Sequence, residues 1–598
     1  MTMYPMFTSI FEKLLSLVQS LLRSVASGWQ QLRCDFSNLR RRIFISQLSD
    51  YAVITLNGAL EERDPEVPWY YEFLPTYQAP MTLETLSEML KKVAGDPDVK
   101  GVVFLAKSPE LSLAQAQSLV ALFQRFRQWD RQFNPIDPPK QLVFHLETVH
   151  AAIFVAACAA DKVTITPLTT WDVTGLRSEP MFLRDTLAKI GVSIDVVRVA
   201  PWKNAMDRYT HNELSDEARA QYNWLLDSWY EDIVSGISSG RKIAPETVRS
   251  LIDGAPWTAD KTLEAGLVDA LLYEDQLPAF LGSTETPASL KFYSQLRKRL
   301  YRHPQRYHEK SIGVISLEGG IMPGESREFP VPLPIFGEKT AGSTSLQQAI
   351  RAAREDESLA AIILHVDSPG GSALASDLMT RELKLLADEK PLVIYMGDVA
   401  ASGGYYVVTP GHKVIAQRAT LTGSIGVFSA KPVTGPTYDL LGVQRTSIQR
   451  GNHAGIYSDA NAWSESERAQ VQASVQQIYA EFKKRVSDGR KLPLDSLDEI
   501  CNGRVWTGAQ AKENGLVDEI GDFAVAQETA CLLGKLPTDG SVATVRVSPA
   551  KKKLLSKPAT TAQDSLTEAL SFLLSPQWER LTLGQTLWLL TEGLPKVI

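Results

Sequence analysis

Cysteine is nearly absent from this chain: its 598 residues hold four, Cys34, Cys158, Cys501 and Cys531. None sits in a CxxC or Cys/His ligand spacing, so neither a disulfide framework nor a zinc site underlies the fold. Histidine is sparse too, eight in all, with no HExxH or HxH pair to recruit a metal. An excess of positive charge is missing: 62 Lys and Arg against 69 Asp and Glu leave a net charge of −7. That is the wrong sign for a nucleic-acid partner. Long apolar runs are missing as well. Near the start, Lys13 and Arg23 leave only nine uncharged residues between them, where a spanning helix needs about 20. No basic n-region or small-residue cleavage site marks a secretory signal. The expectation is an enzyme or binding protein without metal or cofactor.

What is present reads as a globular chain. Hydrophobic residues make up 44% and charged residues 22%, ordinary for a folded protein, and the length suits two to four domains. In residues 1–49, Phe7, Ile10, Phe11, Leu14, Leu15, Val18, Leu21, Leu22, Val25 and Trp29 recur at three- and four-residue spacing. This is one apolar face of an amphipathic helix. Arg33, Arg40, Arg41 and Arg42 follow it, suited to anionic headgroups. A membrane surface and a protein surface are equally good partners for such a helix.

The chain repeats itself. Gly240-Arg241-Lys242, Trp257-Thr258 and Gly266-Leu267-Val268-Asp269 recur 249 residues later as Gly489-Arg490-Lys491, Trp506-Thr507 and Gly515-Leu516-Val517-Asp518. Asp161-Lys162-Val163 faces His412-Lys413-Val414, Ser108-Pro109 faces Ser368-Pro369, and Val53-Ile54-Thr55-Leu56 faces Val314-Ile315-Ser316-Leu317. The matches keep their order, as a tandem duplication requires. Residues 50–275 form a first copy and 311–522 a second, with a basic linker at 276–310 and a tail at 523–598.

Each copy alternates short apolar strands with amphipathic helices, which predicts α/β domains with parallel sheets and crossover helices. Gly101–Leu105 and Ala361–Val366 are the expected buried strands, and Ala114–Trp129 and Ala373–Leu386 the helices after them. Lys291–Lys310 reads as a solvated linker helix. Phe329–Phe336, with three prolines, reads as a loop beside a cleft rather than a regular element.

The chemistry shows where the copies differ. Asp367-Ser368-Pro369-Gly370-Gly371 closes a strand in the second copy, and its glycines let backbone N–H groups approach an oxyanion. The first copy has Lys107-Ser108-Pro109-Glu110-Leu111 instead. Ser402, in Ala400-Ala401-Ser402-Gly403-Gly404, stands at a strand-to-helix turn, and its first-copy counterpart is Ala151. A serine between small residues more often caps a helix or fills a turn than attacks a substrate. A nucleophile also needs a base. His365 and His412 share its copy; the other candidate is a desolvated lysine. Lys203, in Val199-Ala200-Pro201-Trp202-Lys203-Asn204-Ala205, has Asn452 or His453 as its approximate second-copy counterpart. A lone lysine is usually a solvated surface group. Here the copies have complementary losses: one keeps a base and the other a nucleophile.

These motifs, with Thr422-Gly423-Ser424-Ile425-Gly426-Val427, resemble the long form of the signal peptide peptidase A (protease IV) family. That family lies within peptidase family S49 and the Clp protease and enoyl-CoA hydratase (crotonase) superfamily. The resemblance covers about residues 50–522. It implies two tandem Clp/crotonase-like domains and a serine protease with a Ser–Lys dyad across the copies. Lys203 would be the general base, Ser402 the nucleophile, and Ser424 the residue orienting the lysine. Gly370 and Gly371, with Gly403, would form the oxyanion hole.

The family further implies peptide substrates, cleaved signal peptides among them, a homotetramer and a bacterial inner membrane or its equivalent. The amphipathic start predicts peripheral attachment, with the membrane side left open. The tail, with Trp578, Trp588 and Leu589-Leu590, suits a membrane surface or docking on the body of the protein. Two other functions fit the same superfamily: an acyl-CoA hydratase or isomerase, and a non-catalytic scaffold. Neither needs both Ser402 and Lys203.

Overall fold

Apolar runs rich in β-branched residues give each copy strands buried on both faces. A computed structural model describes residues 31–32, 34–39, 41–42, 48–65, 80–135, 138–199, 201–304, 306, 308–333, 337–549 and 588–590. The first seven strands are β1 (Tyr51–Ala59), β2 (Gly101–Glu110), β3 (Gln141–Leu146), β4 (Lys162–Ile165), β5 (Ser193–Arg198), β6 (Ala270–Leu271) and β7 (Leu290–Phe292). Six of them form one parallel sheet in the order β6-β4-β3-β2-β1-β7.

The second copy supplies β8 (Ser311–Glu318), β9 (Gly320–Met322), β10 (Arg327–Leu333), β11 (Gly337–Gly342), β12 (Leu359–Ser368), β13 (Gly370–Ser372) and β14 (Leu392–Ala401). It continues with β15 (Lys413–Ala416), β16 (Leu421–Gly423), β17 (Phe428–Val433), β18 (Val505–Thr507) and β19 (Glu519–Ile520); β20 (Thr544–Arg546) and β21 (Trp588–Leu590) follow. The sheet β18-β16-β14-β12-β8-β20 is parallel except at its β16–β18 edge. The expected parallel α/β architecture is thus present in tandem.

The crossover helices are Leu113–Phe133 and Ala373–Glu389. Ser112 and Gln115 cap the first reciprocally, and Ser372 accepts the Ala375 N–H in the second. The sequence repeat has a structural cause. Helices Asp216–Arg241 and Glu465–Arg490 both end on a left-handed lysine, Lys242 or Lys491. The arginine before each lysine then pairs with the aspartate of Gly-Leu-Val-Asp, Arg241 with Asp269 at 3.1 Å and Arg490 with Asp518 at 2.7 Å.

A third sheet joins the copies, in the order β10-β11-β9-β13-β21-β17-β5. Its β5 belongs to the first copy and runs antiparallel to β17 of the second. This union was not anticipated. It starts the chain toward Lys203 from a strand bonded to the other copy.

Three local expectations change. The proline-rich stretch expected as a loop is a strand over its described part: β10 and β11 pair antiparallel, Arg327 facing Thr340 and Glu328 facing Lys339. Pro330 and Pro332 are tolerated because β10 is an edge strand, where missing donors cost no ladder bond. The 291–310 segment is not a linker helix; its start completes β7 against β1, and helix Tyr293–Leu296 is one turn. Arg41 does not face headgroups: it is buried and paired with Asp96 at 2.7 Å. The apolar face from Phe7 to Trp29 lies outside the described residues, as do residues 550–587 and 591–598 of the tail, Trp578 among them. No helix among the described residues is long and apolar enough to cross a membrane.

Candidate active site

Ser402 follows β14 and opens the short helix Gly403–Tyr406, fully buried, with φ 56° and ψ −116°. A non-glycine residue held there costs of order 1–3 kcal/mol and persists only where its surroundings over-determine it. They do so here. Ser402 N–H donates to Gly423 O at 2.8 Å, and Ser402 O accepts the Tyr406 N–H at 2.9 Å. The following glycines let this turn press against β12 and β13. A Cβ on Gly404 would lie 2.6 Å from Ser368 O, and one on Gly403 would lie 3.1 Å from Gly371 N.

The glycines of β13 are equally constrained. Gly370 has φ +104°, and a Cβ on Gly371 would meet Ile321 O at 2.0 Å. Gly370 N–H already donates to Ser368 Oγ at 3.2 Å, and that hydroxyl donates to Gly319 O at 2.6 Å. The Gly371 amide nitrogen lies against the turn that carries Ser402, 3.1 Å from where a Cβ on Gly403 would stand.

Lys203 reaches the same point from the other copy. Its Nζ lies 2.7 Å from Ser402 Oγ and 2.9 Å from both Ser424 Oγ and Ser424 O. Ser424 is itself left-handed, with φ 52°, and its N–H donates to Arg504 O at 2.6 Å. Burial alone holds the Lys203 amine well below the ordinary lysine range, because the ammonium form would be desolvated. Trp202, adjacent to it in sequence, packs instead on Trp224 at 5.0 Å and under Arg504. The chain of Gly426 and Gly503 covers the lysine instead. A Cβ on Gly503 would lie 2.7 Å from Lys203 Cβ, and one on Gly426 3.3 Å from its Cδ. Gly426 stands inside the Thr422–Val427 motif; Gly503 carried no sequence signal.

Neither histidine joins the site. His412 Nδ1 accepts the Leu392 N–H at 3.1 Å. His365 stacks on Tyr395 at 5.7 Å, and burial pushes it down to about 4. Among the described residues, no histidine bonds Ser402, and no cluster of His, Cys, Asp and Glu has the makings of a metal site. The arrangement therefore holds a buried amine against a strained serine hydroxyl, with glycine backbone close by. Those are groups with which acyl transfer can be carried out.

Comparison with known proteins agrees. Residues 137–282 and 384–536 match peptidase family S49, together half of the chain. The chain is 28% identical to the chloroplastic serine protease SPPA of Arabidopsis thaliana, over 82% of this chain and 70% of that one. It is 33% identical to protease 4 of Salmonella typhi, over 64% and 62%. With protease 4 of Haemophilus influenzae the identity is 27%, over 80% and 78%. The chain thus spans between about three fifths and four fifths of these relatives.

Proposed function

Because the chain belongs to peptidase family S49 and is a serine protease, we propose that Ser402 is its nucleophile and Lys203 its general base. The observation that carries this reading is the 2.7 Å approach of the buried Nζ to Ser402 Oγ. A neutral amine has two N–H donors and one lone pair. Ser424 O and Oγ accept the two donors, leaving the lone pair to receive the Ser402 proton. Oγ then attacks the scissile carbonyl, and the Gly371 and Gly403 N–H groups stabilise the oxyanion. Lys203 returns its proton to the leaving amine. A water, deprotonated by the same amine, cleaves the acyl-enzyme. An acyl-CoA hydratase would leave both side chains idle, and a scaffold would have no use for the strain at Ser402.

Substrates on this reading are extended, unfolded apolar peptides, cleaved signal peptides among them. Support comes from β21, which lies antiparallel to β13 with Leu589 opposite Gly371, and also pairs with Phe428 of β17. A substrate would add to the same edge through its main chain. A chain ending before Trp588 should therefore bind peptide substrates several-fold more tightly, with KM lower and kcat unchanged. A KM that stays the same or rises would exclude the tail as a competing occupant. Leu32, Phe36 and Leu39 are exposed on one helical face, which supports attachment to a membrane surface or contact within a homotetramer.

The reading is tested by labelling the full-length protein with a serine-directed phosphonate. Wild type should take up one label per chain at Ser402, and Ser402→Ala none. Labelling of Ser402→Ala at wild-type stoichiometry would remove Ser402 from the mechanism.

A further inference from the structure

Asp367 begins the Asp-Ser-Pro-Gly-Gly run, yet it takes no part in the dyad. Its role follows from the register of the sheet. β12 and β14 pair regularly from Ile362 opposite Leu392 to Val366 opposite Met396, and next at Ser368 opposite Ala400. Between those pairs, Asp367 alone faces Gly397, Asp398 and Val399. Such a bulge breaks the ladder and leaves backbone groups without strand partners.

Side chains take their place. Val399 N–H donates to Asp367 Oδ1 at 3.1 Å, and Thr420 Oγ1 donates to Gly397 O at 2.8 Å. Ser112, at the cap of a first-copy helix, donates to Asp398 Oδ1. The bulge lies three residues before Ser402 on one strand, and Asp367 three residues before Gly370 on the other. One carboxylate therefore spans the strand that carries the serine and the strand that leads to the oxyanion glycines.

The first copy is a natural control. There the β2–β3 ladder ends at Ala106 opposite Leu146, the pair equivalent to Val366 opposite Met396, so no strand pairing continues past the position of Asp367. The residue corresponding to Asp367 is Lys107, which is exposed, and the residue corresponding to Ser402 is Ala151. The clamp is present where the serine is and absent where it is not.

We infer that Asp367 is a positioning residue: by holding the Val399 N–H it fixes the bulge that sets Ser402 level with Gly371. The inference rests on Ser402 being the nucleophile. Charge is not the operative property. Burial, and then the neighbouring Asp398 carboxylate, push Asp367 up to about 7, and its Oδ1 accepts in either protonation state. Asparagine therefore supplies the same acceptor, and alanine does not.

The experiment compares wild type, Asp367→Ala and Asp367→Asn as full-length proteins. Rates are normalised to sites titrated by the serine-directed phosphonate. Asp367→Ala should lose roughly 10- to 100-fold in kcat per titrated site, with KM within about twofold, the scale of a misplaced reacting group. Inhibition by a peptide aldehyde, which forms a tetrahedral adduct, should weaken by the same factor. Asp367→Asn should recover most of the loss. A merely structural role would lower the number of titrated sites and leave kcat per site alone, which overturns the inference. So would equal impairment of the Asn and Ala enzymes. Should Asp367→Ala not fold, Asp367→Asn decides alone: a tenfold loss per site overturns the inference, and near-normal turnover sustains it. A wild type that takes no label at Ser402 removes the underlying reading instead.

Discussion

Ser402→Ala is expected to lose about four orders of magnitude or more in peptide hydrolysis while folding as the wild type does. The substitution acts on chemistry and on structure separately. Chemically, the hydroxyl is the acyl acceptor of the proposed mechanism, in which the neighbouring amine and amides have nothing to act on without it. What survives is the weaker effect of binding a peptide against β13 and polarising its carbonyl. Structurally, the change removes one atom from a buried position, and Lys203 Nζ keeps its two contacts to Ser424. Losing the third costs about 1 kcal/mol. The left-handed backbone at 402 is no worse for alanine than for serine, because the strain comes from Cβ and not from Oγ. Initial rates on an unfolded casein-like substrate, beside a thermal melt, separate the two sides. Activity within tenfold of wild type excludes Ser402 as the nucleophile.

What could be read from the sequence divides along the range of the interaction. Strands such as β2 over residues 101–106, and β12, are buried on both faces and are legible from their apolar runs alone. The Gly-Arg-Lys and Gly-Leu-Val-Asp segments are legible as a repeat; only the coordinates explain them, through the Arg241–Asp269 and Arg490–Asp518 pairs. Lys203 and Ser402 stand out because each copy lacks what the other has, and the fold brings them to 2.7 Å. That inference needed the duplication; neither residue carries a local signal of its own.

What escaped is non-local or backbone-mediated. The β5–β17 pairing joins residues more than 200 positions apart, beyond the reach of periodicity. Pro330 and Pro332 argue against a strand unless the strand is known to lie at an edge. Trp202 invites the role of desolvating the lysine because it is adjacent in sequence, yet Gly426 and Gly503 cover it by bringing backbone close. The bulge opposite Asp367 leaves no mark on hydropathy at all, since what it changes is register.

Lys203→Arg should be as inactive as Lys203→Ala, and the wild-type rate should rise with pH. An exposed lysine titrates near 10.4 and at neutral pH holds its proton almost completely, leaving no lone pair for the serine. Burial of Lys203 lowers that value. If Lys203 is the base as proposed, the protonated form is inactive and the neutral form active, so kcat/KM should climb as pH passes upward through the lowered pKa and then level off. Arginine at 203 keeps a positive charge and hydrogen-bond donors but is never neutral in the accessible range, and it cannot accept a proton. Lys203→His, with a shorter side chain and a pKa near 6.5, should retain at most a trace of activity whose rise follows the imidazole. The measurement is a pH–rate profile of peptide hydrolysis for wild type and the three variants, with active sites titrated by the phosphonate. A Lys203→Arg enzyme with near-normal turnover would mean that position 203 supplies charge rather than a base, and the Ser402–Lys203 mechanism would have to be given up.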